Sequence, residues 1–150
     1  MDDEALEFSL VNDLRELAGV AARIDAFCAD RSLGPQVGYA VNLAVDEVLT
    51  NTINFGYDDD DPHRIEVVVW VEADAVVVVI VDDSNAFDPS RAPEADTGST
   101  IEDRVLNGLG LFLVHQMMDG VEYRHQGGCN VVTLTKRTGG AGGGNVSSGA

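Results

Sequence analysis

Residues 75–82 read Ala-Val-Val-Val-Val-Ile-Val-Asp, a run of mostly β-branched side chains that ends in a carboxylate. This composition is typical of a buried β-strand, and the run is too short to cross a bilayer. The similar run Ile65–Val71 precedes it across the short link Glu72-Ala73-Asp74. The stretch therefore predicts two strands joined by a turn, and the unbroken apolar content of the second strand predicts burial on both of its faces.

The segments before these strands predict one further strand and two helices. Leu6–Leu10 alternates between apolar and polar residues, which is the period of a strand with one buried face. After a polar cap at position 12 or 13, apolar residues recur at helical spacing; they are Leu14, Leu17, Ala21, Ile24 and Phe27. Gly34-Pro35 ends this helix and starts a second one, which runs to about Phe55.

The segments after the two strands predict a long loop, a helix and a hairpin. Residues 88–107 are rich in Pro, Asp, Ser, Thr and Gly without a sustained period, which predicts a functional lid or a disordered loop. Gly108–Met118 is apolar on nearly every side and predicts a buried helix. Val121–Arg124 and Val131–Lys136 predict a closing pair of strands.

Together these elements predict an α+β fold. We expect a two-layer sandwich in which a mostly antiparallel sheet carries helices on one face. The elements form a single domain over residues 1–137, a length that buries a sizeable core. The Gly- and Ser-rich residues 138–150 predict a flexible tail that takes no part in folding.

The chain is strongly acidic, with 9 Lys and Arg against 26 Asp and Glu and a formal net charge of -17. Such a surface repels phosphate backbones and anionic membranes, so we expect no direct nucleic-acid binding and no membrane binding. A basic protein partner fits this charge, although acidity also serves plain solubility. Cys28 and Cys129 do not make a disulfide framework, and the first residues lack the basic and apolar pattern of a signal segment. We therefore expect a cytoplasmic protein.

The second helix carries the first candidate for chemistry. Glu47 and Asn51 are four residues apart, so they share one helix face at the margin of its apolar stripe. The amide oxygen of Asn51 is a neutral, hard ligand that suits Mg²⁺, and a carboxylate one turn earlier can take a proton from a hydroxyl. The alternative interpretation of the same two residues is a solvated helix face.

Two more candidates follow along the chain. Asp82, at the end of a buried strand, can accept a hydrogen bond from an exocyclic amine such as that of adenine, but the polar residues around it are equally typical of a turn. Gly108 and Gly110 open the last helix, where backbone N–H groups and the helix dipole favour a phosphate. Glycines there also permit tight packing.

In their order and spacing, the three clusters resemble the GHKL ATPase superfamily, and within it the stand-alone anti-sigma-factor serine kinases of the RsbW type. The resemblance covers roughly residues 6–137. Three features carry it: the Glu47–Asn51 spacing followed by Tyr57, the Phe87-Asp88-Pro89 ending, and Gly108-Leu109-Gly110-Leu111.

The resemblance implies a histidine-kinase-type ATP-binding fold with ATP and Mg²⁺ as cofactors. In that family pattern Asn51 would hold Mg²⁺, and Asp82 would accept a hydrogen bond from the adenine amine. Gly108-Leu109-Gly110-Leu111 would cradle the phosphates, and Glu47 would be the general base that activates a serine.

The resemblance also implies a partner switch. The chain would bind a sigma factor and phosphorylate a STAS-type anti-anti-sigma protein, and relatives of this kind form homodimers. Phosphorylation would weaken the binding of the anti-anti-sigma protein to the kinase, and the kinase would then be free to bind the sigma factor.

Three positions depart from the family pattern. Ser84 and Ala86 stand where the wider superfamily has glycines, so either their side chains narrow the adenine pocket or the backbone needs no positive φ there. Asn130 stands where many relatives place a threonine close to the adenine. These departures leave an alternative function open, a catalytically weak or inactive nucleotide-binding module that regulates a partner by sequestration.

Overall fold

The computed structural model describes residues 5–86 and 110–139 of the chain. Within these residues, the strands are β1 (Leu6–Val11), β2 (Arg64–Glu72), β3 (Ala75–Asp82), β4 (Gly120–Gln126) and β5 (Cys129–Arg137). The helices are α1 (Leu17–Asp30), α2 (Pro35–Phe55) and α3 (Gly110–Met117). The predicted α+β fold is confirmed.

The strands form one open sheet in the order β1-β2-β3-β5-β4, and every neighbouring pair is antiparallel. The β4–β5 hairpin turns through Gly127 and Gly128, whose φ angles of 63° and 81° are conformations that glycine adopts without strain. This tight turn lets the two strands pair up to its edge, so the hairpin is longer than the sequence predicts.

The helices cover one face of the sheet. On that face, side chains with no exposed surface alternate along the central strands; they are Ile65, Val67, Val69, Val76, Val78 and Ile80. The residues between them, such as Val77 and Val79, point to the other face and are only partly buried. The prediction that the second strand is buried on both faces was wrong, because the described helices pack against one face only.

The start of α1 also differs from its prediction. Asp13 caps a short 3-10 turn, Leu14–Glu16, by accepting a hydrogen bond from the backbone N–H of Arg15 at 2.9 Å. Because a 3-10 turn has three residues per turn, it rotates the side chains out of the α-helical stripe. Leu14 is consequently 47% exposed, whereas Ile24 and Phe27 are buried as predicted.

The long helix α2 begins at Pro35, a residue whose fixed φ suits the first helical position. Its buried face includes Val41, Ala44, Val45 and Leu49, which are at most 1% exposed. The helix ends at Phe55, so its predicted extent is confirmed. The functional candidates near its C-terminal end are therefore positioned by a well-packed helix.

The helix α3 packs against α2 through a narrower apolar face than the sequence predicts. Val114 and Met118 are buried, but Phe112 is 49% exposed, so the prediction of a helix buried on nearly every side was wrong. Residues 87–109, which contain the predicted lid together with Gly108 and Leu109, lie outside the described residues. None of the described helices is long and apolar enough to cross a membrane.

Candidate functional site

The carboxylate of Asp82 lies at the end of the central strand β3, on the helix-covered face of the sheet, and is only 3% exposed. Its register partner on β5 is Asn130, which is equally buried. The two residues are 48 positions apart in sequence, and the β3–β5 pairing brings them into contact. The sheet therefore builds a buried polar pair at the place where the sequence suggests a base-reading carboxylate.

Among the described residues, hydrogen-bond donors contact only one oxygen of the Asp82 carboxylate. Its Oδ1 accepts hydrogen bonds from Ser84 N at 3.0 Å, from Ser84 Oγ at 2.5 Å and from Asn130 Nδ2 at 3.0 Å. No hydrogen bond to Oδ2 is present within the described part of the chain. A carboxylate fixed through Oδ1 presents Oδ2 as an acceptor, which suits a ligand that carries an amine.

Ser84 and Ala86 do not force the backbone into an unusual conformation. Among the described residues outside glycine, only Ser32 and Ala73 have positive φ. The sequence left two explanations for the missing glycines, a narrowed adenine pocket or a backbone without positive φ. The structure shows the second, because the backbone at these two positions needs no glycine. Ser84 is buried and bonded to Asp82, whereas Ala86 is exposed.

The loop after β3 is tied to the end of α2. Asn85 N donates to Gly56 O at 2.8 Å, and Asn85 Nδ2 donates to Asp58 Oδ2 at 3.2 Å. Asn51 precedes Gly56 by five residues, which is about 7.5 Å along a helix axis. These bonds fix the C-terminal end of α2 beside Asp82, so the first two sequence clusters belong to one region of the molecule.

Asn51 is buried, with 7% of its surface exposed, and its Nδ2 has no hydrogen-bond partner among the described residues. Because buried amides in folded proteins are nearly always hydrogen-bonded, an unpaired one calls for an explanation. A ligand oxygen would provide the missing acceptor. The prediction of a merely solvated helix face does not fit this burial.

Glu47 lies one turn before Asn51 on the same helix and is half-buried. Burial, and then the neighbouring negative charge of Asp46, raises the pKa of the Glu47 carboxyl above its ordinary value. A raised pKa makes the ionised carboxylate a stronger proton acceptor. A half-buried carboxylate with a raised pKa has the chemistry of a proton acceptor.

An aromatic and acidic cluster borders this region. The rings of Tyr57 and His63 stack with their centroids 4.1 Å apart, and His63 contacts the carboxylates of Asp59 at 2.8 Å and Asp83 at 3.3 Å. Burial, followed by the negative charge of Asp82, raises the pKa of the Tyr57 hydroxyl. Among the described residues, no group of His, Cys, Asp and Glu side chains is arranged to hold a metal ion.

The site also contains a residue that sequence reasoning missed. Tyr123 on β4 donates from its hydroxyl to Asn130 Oδ1 at 2.6 Å. The signal was the Gly127-Gly128 turn, which fixes the hairpin register and places Tyr123 diagonally opposite Asn130. Of the predicted phosphate-binding residues, Gly110 is the first residue of α3, Leu111 follows it, and Gly108 and Leu109 precede the described helix.

Comparison with known families matches residues 10–136 to the histidine kinase-like ATPase domain. The serine-protein kinase RsbW of Listeria monocytogenes is 31% identical over 100 residues, which cover 64% of this chain and 63% of the relative. RsbW of Oceanobacillus iheyensis is 28% identical over 97 residues, which cover 61% of each chain. The serine/threonine-protein kinase BtrW of Bordetella bronchiseptica is 26% identical over 100 residues, which cover 67% of this chain and 70% of the relative. The matched segment thus spans 61–70% of the length of these relatives.

A solved structure has the same architecture. The RsbU and RsbW domains of Rv1364c from Mycobacterium tuberculosis superpose on this chain with a TM-score of 0.64 at 18% identity. The superposition covers 89% of this chain and 32% of that one. At this identity the likeness shows the shared fold, an open antiparallel sheet with helices on one face.

Proposed function

Because the chain belongs to the histidine kinase-like ATPase family, we propose that it binds ATP with Mg²⁺ and transfers the γ-phosphoryl group to a serine of a partner protein. One observation carries this proposal: the buried amide of Asn51 has an Nδ2 with no partner among residues 5–86 and 110–139, and it lies one helical turn from the carboxylate of Glu47. Such a donor can bond a phosphate oxygen, and the carboxylate beside it can accept the proton of a hydroxyl.

The residues present fit a nucleotide and its metal. Leaving the Asn51 donor unpaired costs about 1–3 kcal/mol, which a phosphate oxygen would recover. The Oδ1 atom of the same amide is the kind of neutral oxygen that Mg²⁺ accepts as a ligand. Asp82 Oδ2 is free to accept a hydrogen bond from the adenine amine. We therefore assign Asn51 to the phosphate and metal end of the nucleotide and Asp82 to its base.

We assign the remaining phosphate contacts to the start of α3. The first N–H groups of a helix have no helical acceptor, so they are available to an anion. Gly110 opens α3, and Leu111 follows it. Together with Gly108 and Leu109, they make up the segment that the family pattern places at the phosphates.

Glu47 is the residue we assign to proton transfer. ATP supplies the phosphoryl group when bound, and Mg²⁺ neutralises the charge of its phosphates. Glu47 accepts the proton of the serine hydroxyl as the serine oxygen bonds to the γ-phosphorus and the bond to the ADP oxygen breaks. The raised pKa of Glu47 strengthens it for this step.

The relatives suggest the biological setting. Several of them are named serine-protein kinase RsbW, and we propose that this chain likewise acts as an anti-sigma factor in a partner switch. It would hold a sigma factor and phosphorylate a STAS-type anti-anti-sigma protein. The net charge of -17 supports docking of basic protein surfaces.

The test combines binding with transfer. Calorimetry should detect ATP binding that requires Mg²⁺ and that Asn51→Ala abolishes. Transfer of the radiolabelled phosphoryl group from ATP to a STAS-type protein encoded beside the gene for this chain should fall at least about 100-fold in Glu47→Gln. ATP binding should survive this substitution. Glu122→Gln, the same change on an exposed position of the edge strand, should leave both properties intact.

Two results would contradict the proposal. Undiminished transfer in Glu47→Gln would remove the base assignment. Absence of ATP binding with and without Mg²⁺ would favour the alternative function, a module that regulates its partner by sequestration without nucleotide chemistry.

We also propose a homodimer formed through the face of the sheet that the described helices leave uncovered. Apolar side chains gather there on neighbouring strands; they are Val68, Trp70, Val77, Val79 and Val81. A second copy would bury them. Light scattering at several concentrations should give a dimer mass that Val79→Lys reduces to the monomer mass. A monomer mass for the unmodified chain at every concentration would contradict the dimer.

A further inference from the structure

A chain of hydrogen bonds runs from the edge strand β4 to the base-reading carboxylate. The Tyr123 hydroxyl donates to Asn130 Oδ1 at 2.6 Å, and Asn130 Nδ2 donates to Asp82 Oδ1 at 3.0 Å. Asn130 and Asp82 are each only 3% exposed, so water does not compete with the bond between them. Tyr123 is half-buried and lies at the outer end of the chain.

The orientation of the Asn130 amide is determined by what surrounds it. Besides Asp82 Oδ1, its Nδ2 lies 3.1 Å from Ser84 O, 2.9 Å from Ser84 Oγ and 3.1 Å from Asn85 O. A flipped amide would place its own oxygen against the carboxylate and two carbonyl oxygens, which is repulsive. Tyr123 donates to the opposite side of the amide and so favours the same orientation.

This orientation fixes the chemistry that Asp82 offers to a ligand. Its Oδ1 receives three donors, two from Ser84 and one from Asn130, so the carboxylate cannot rotate without breaking them. Oδ2 then remains in one place as an acceptor. A purine with a 6-amino group donates to such an oxygen, whereas a purine with a 6-oxo group places a carbonyl oxygen against it and is rejected.

We infer that Tyr123 and Asn130 are positioning residues that give the nucleotide site its preference for 6-amino over 6-oxo purines by holding the Asp82 carboxylate in place. The inference rests on the proposed binding of ATP and names two further residues that decide its base specificity. Neither residue needs to touch the nucleotide, because each acts through Asp82.

The test compares ATP with ITP, in which a 6-oxo group replaces the amine. Dissociation constants are measured by calorimetry in the presence of Mg²⁺ for the unmodified chain and for Tyr123→Phe, which removes only the hydroxyl. We expect the preference for ATP over ITP to fall about 3- to 10-fold, the effect of one hydrogen bond, through weaker binding of ATP. Tyr39→Phe removes a hydroxyl from a tyrosine that is 64% exposed, and it should change nothing.

A second variant keeps the inference testable if Tyr123→Phe folds poorly. Asn130→Ser replaces the amide with a hydroxyl that is too short to reach the carbonyl oxygens of Ser84 and Asn85, so the preference for ATP should fall further than in Tyr123→Phe. An unchanged ratio of the two dissociation constants in both variants would overturn the inference and leave the proposed function standing. An equal loss of affinity for both nucleotides would also overturn it, since that pattern shows general loosening of the site. If the unmodified chain binds neither nucleotide, the proposed function fails and the inference fails with it.

Discussion

Gly56 and Ser84 lie in direct contact, although one ends a helix and the other follows a strand. A Cβ added to Gly56 would lie 2.7 Å from Ser84 Cβ and 2.6 Å from the carbonyl oxygen of Thr52. The absence of a side chain at Gly56 therefore leaves room for the serine that replaces a family glycine. The end of α2 and the loop after β3 therefore have complementary shapes.

This contact predicts that Gly56→Ala destabilises the protein. Overpacking of this kind costs about 1–3 kcal/mol. In a Ser84→Gly background the cost of Gly56→Ala should be smaller, because one of the two clashes is gone, although Ser84→Gly alone also loses the hydrogen bond to Asp82. Gly38→Ala is the matched control: its Cβ would lie 3.6 Å from Cys28 Cβ, an ordinary contact, and alanine inside a helix should add about 0.5–1 kcal/mol of stability. Chemical denaturation measures all of these variants, and equal stability of Gly56→Ala and the unmodified chain would refute the prediction.

The raised pKa of Glu47 predicts an acid limit on phosphoryl transfer. Because the carboxylate must be ionised to accept a proton, the rate should fall as the pH drops through a pKa above the ordinary value of 4.5. Asp46→Asn removes the neighbouring negative charge and should move this limit to lower pH. Initial transfer rates between pH 4.5 and 8 provide the measurement. A limit that stays in place in Asp46→Asn would exclude Glu47 as its source.

His63 should titrate above its ordinary pKa of 6.5. Its hydrogen bond to Asp59 is the main cause, and Asp83 adds to the shift. Since the folded-state pKa is the higher one, the stability that the protonated imidazole contributes is complete below pH 6.5 and is lost as the pH rises through the folded pKa. The imidazole resonance, assigned with His63→Gln, reports the midpoint by NMR. Asp59→Asn should lower that midpoint, and a value at or below 6.5 in the unmodified chain would contradict the contact.

The packing of α2 predicts that substitutions on its two sides change the free energy of unfolding by very different amounts. Leu49 is completely buried, so Leu49→Ala should cost about 2–5 kcal/mol through lost burial and the cavity it leaves. Tyr39 on the same helix is largely exposed, and Tyr39→Ala should change the free energy of unfolding by less than about 0.5 kcal/mol. Urea denaturation compares the two variants. Similar losses of unfolding free energy in both variants would contradict the burial of Leu49 against the sheet.

The sequence predicted most elements well where local signals agree. Gly34-Pro35 marks the start of α2, and the β-branched runs mark β2 and β3. It failed where the outcome depended on neighbours that are distant in the chain. The exposure of Phe112, and the face of β3 that no described helix covers, follow from where the described helices lie, and apolar composition alone does not report that.

The candidate site divides in the same way. Helical spacing predicted that Glu47 and Asn51 share a face, and the family resemblance suggested their roles. The family resemblance placed Asp82, Ser84 and Asn130 near the adenine but gave no contacts between them. Tyr123 escaped notice because its role depends on the hairpin register.

By itself, then, the sequence determined the element types, their approximate limits and the polar residues that are candidates for chemistry, since propensity and periodicity act over a few residues. The tertiary structure alone decided that Asp82 meets Asn130, that Tyr123 orients the pair and that Gly56 makes room for Ser84. Those contacts depend on strand register and helix packing, which are set by burying one face of the whole sheet at once.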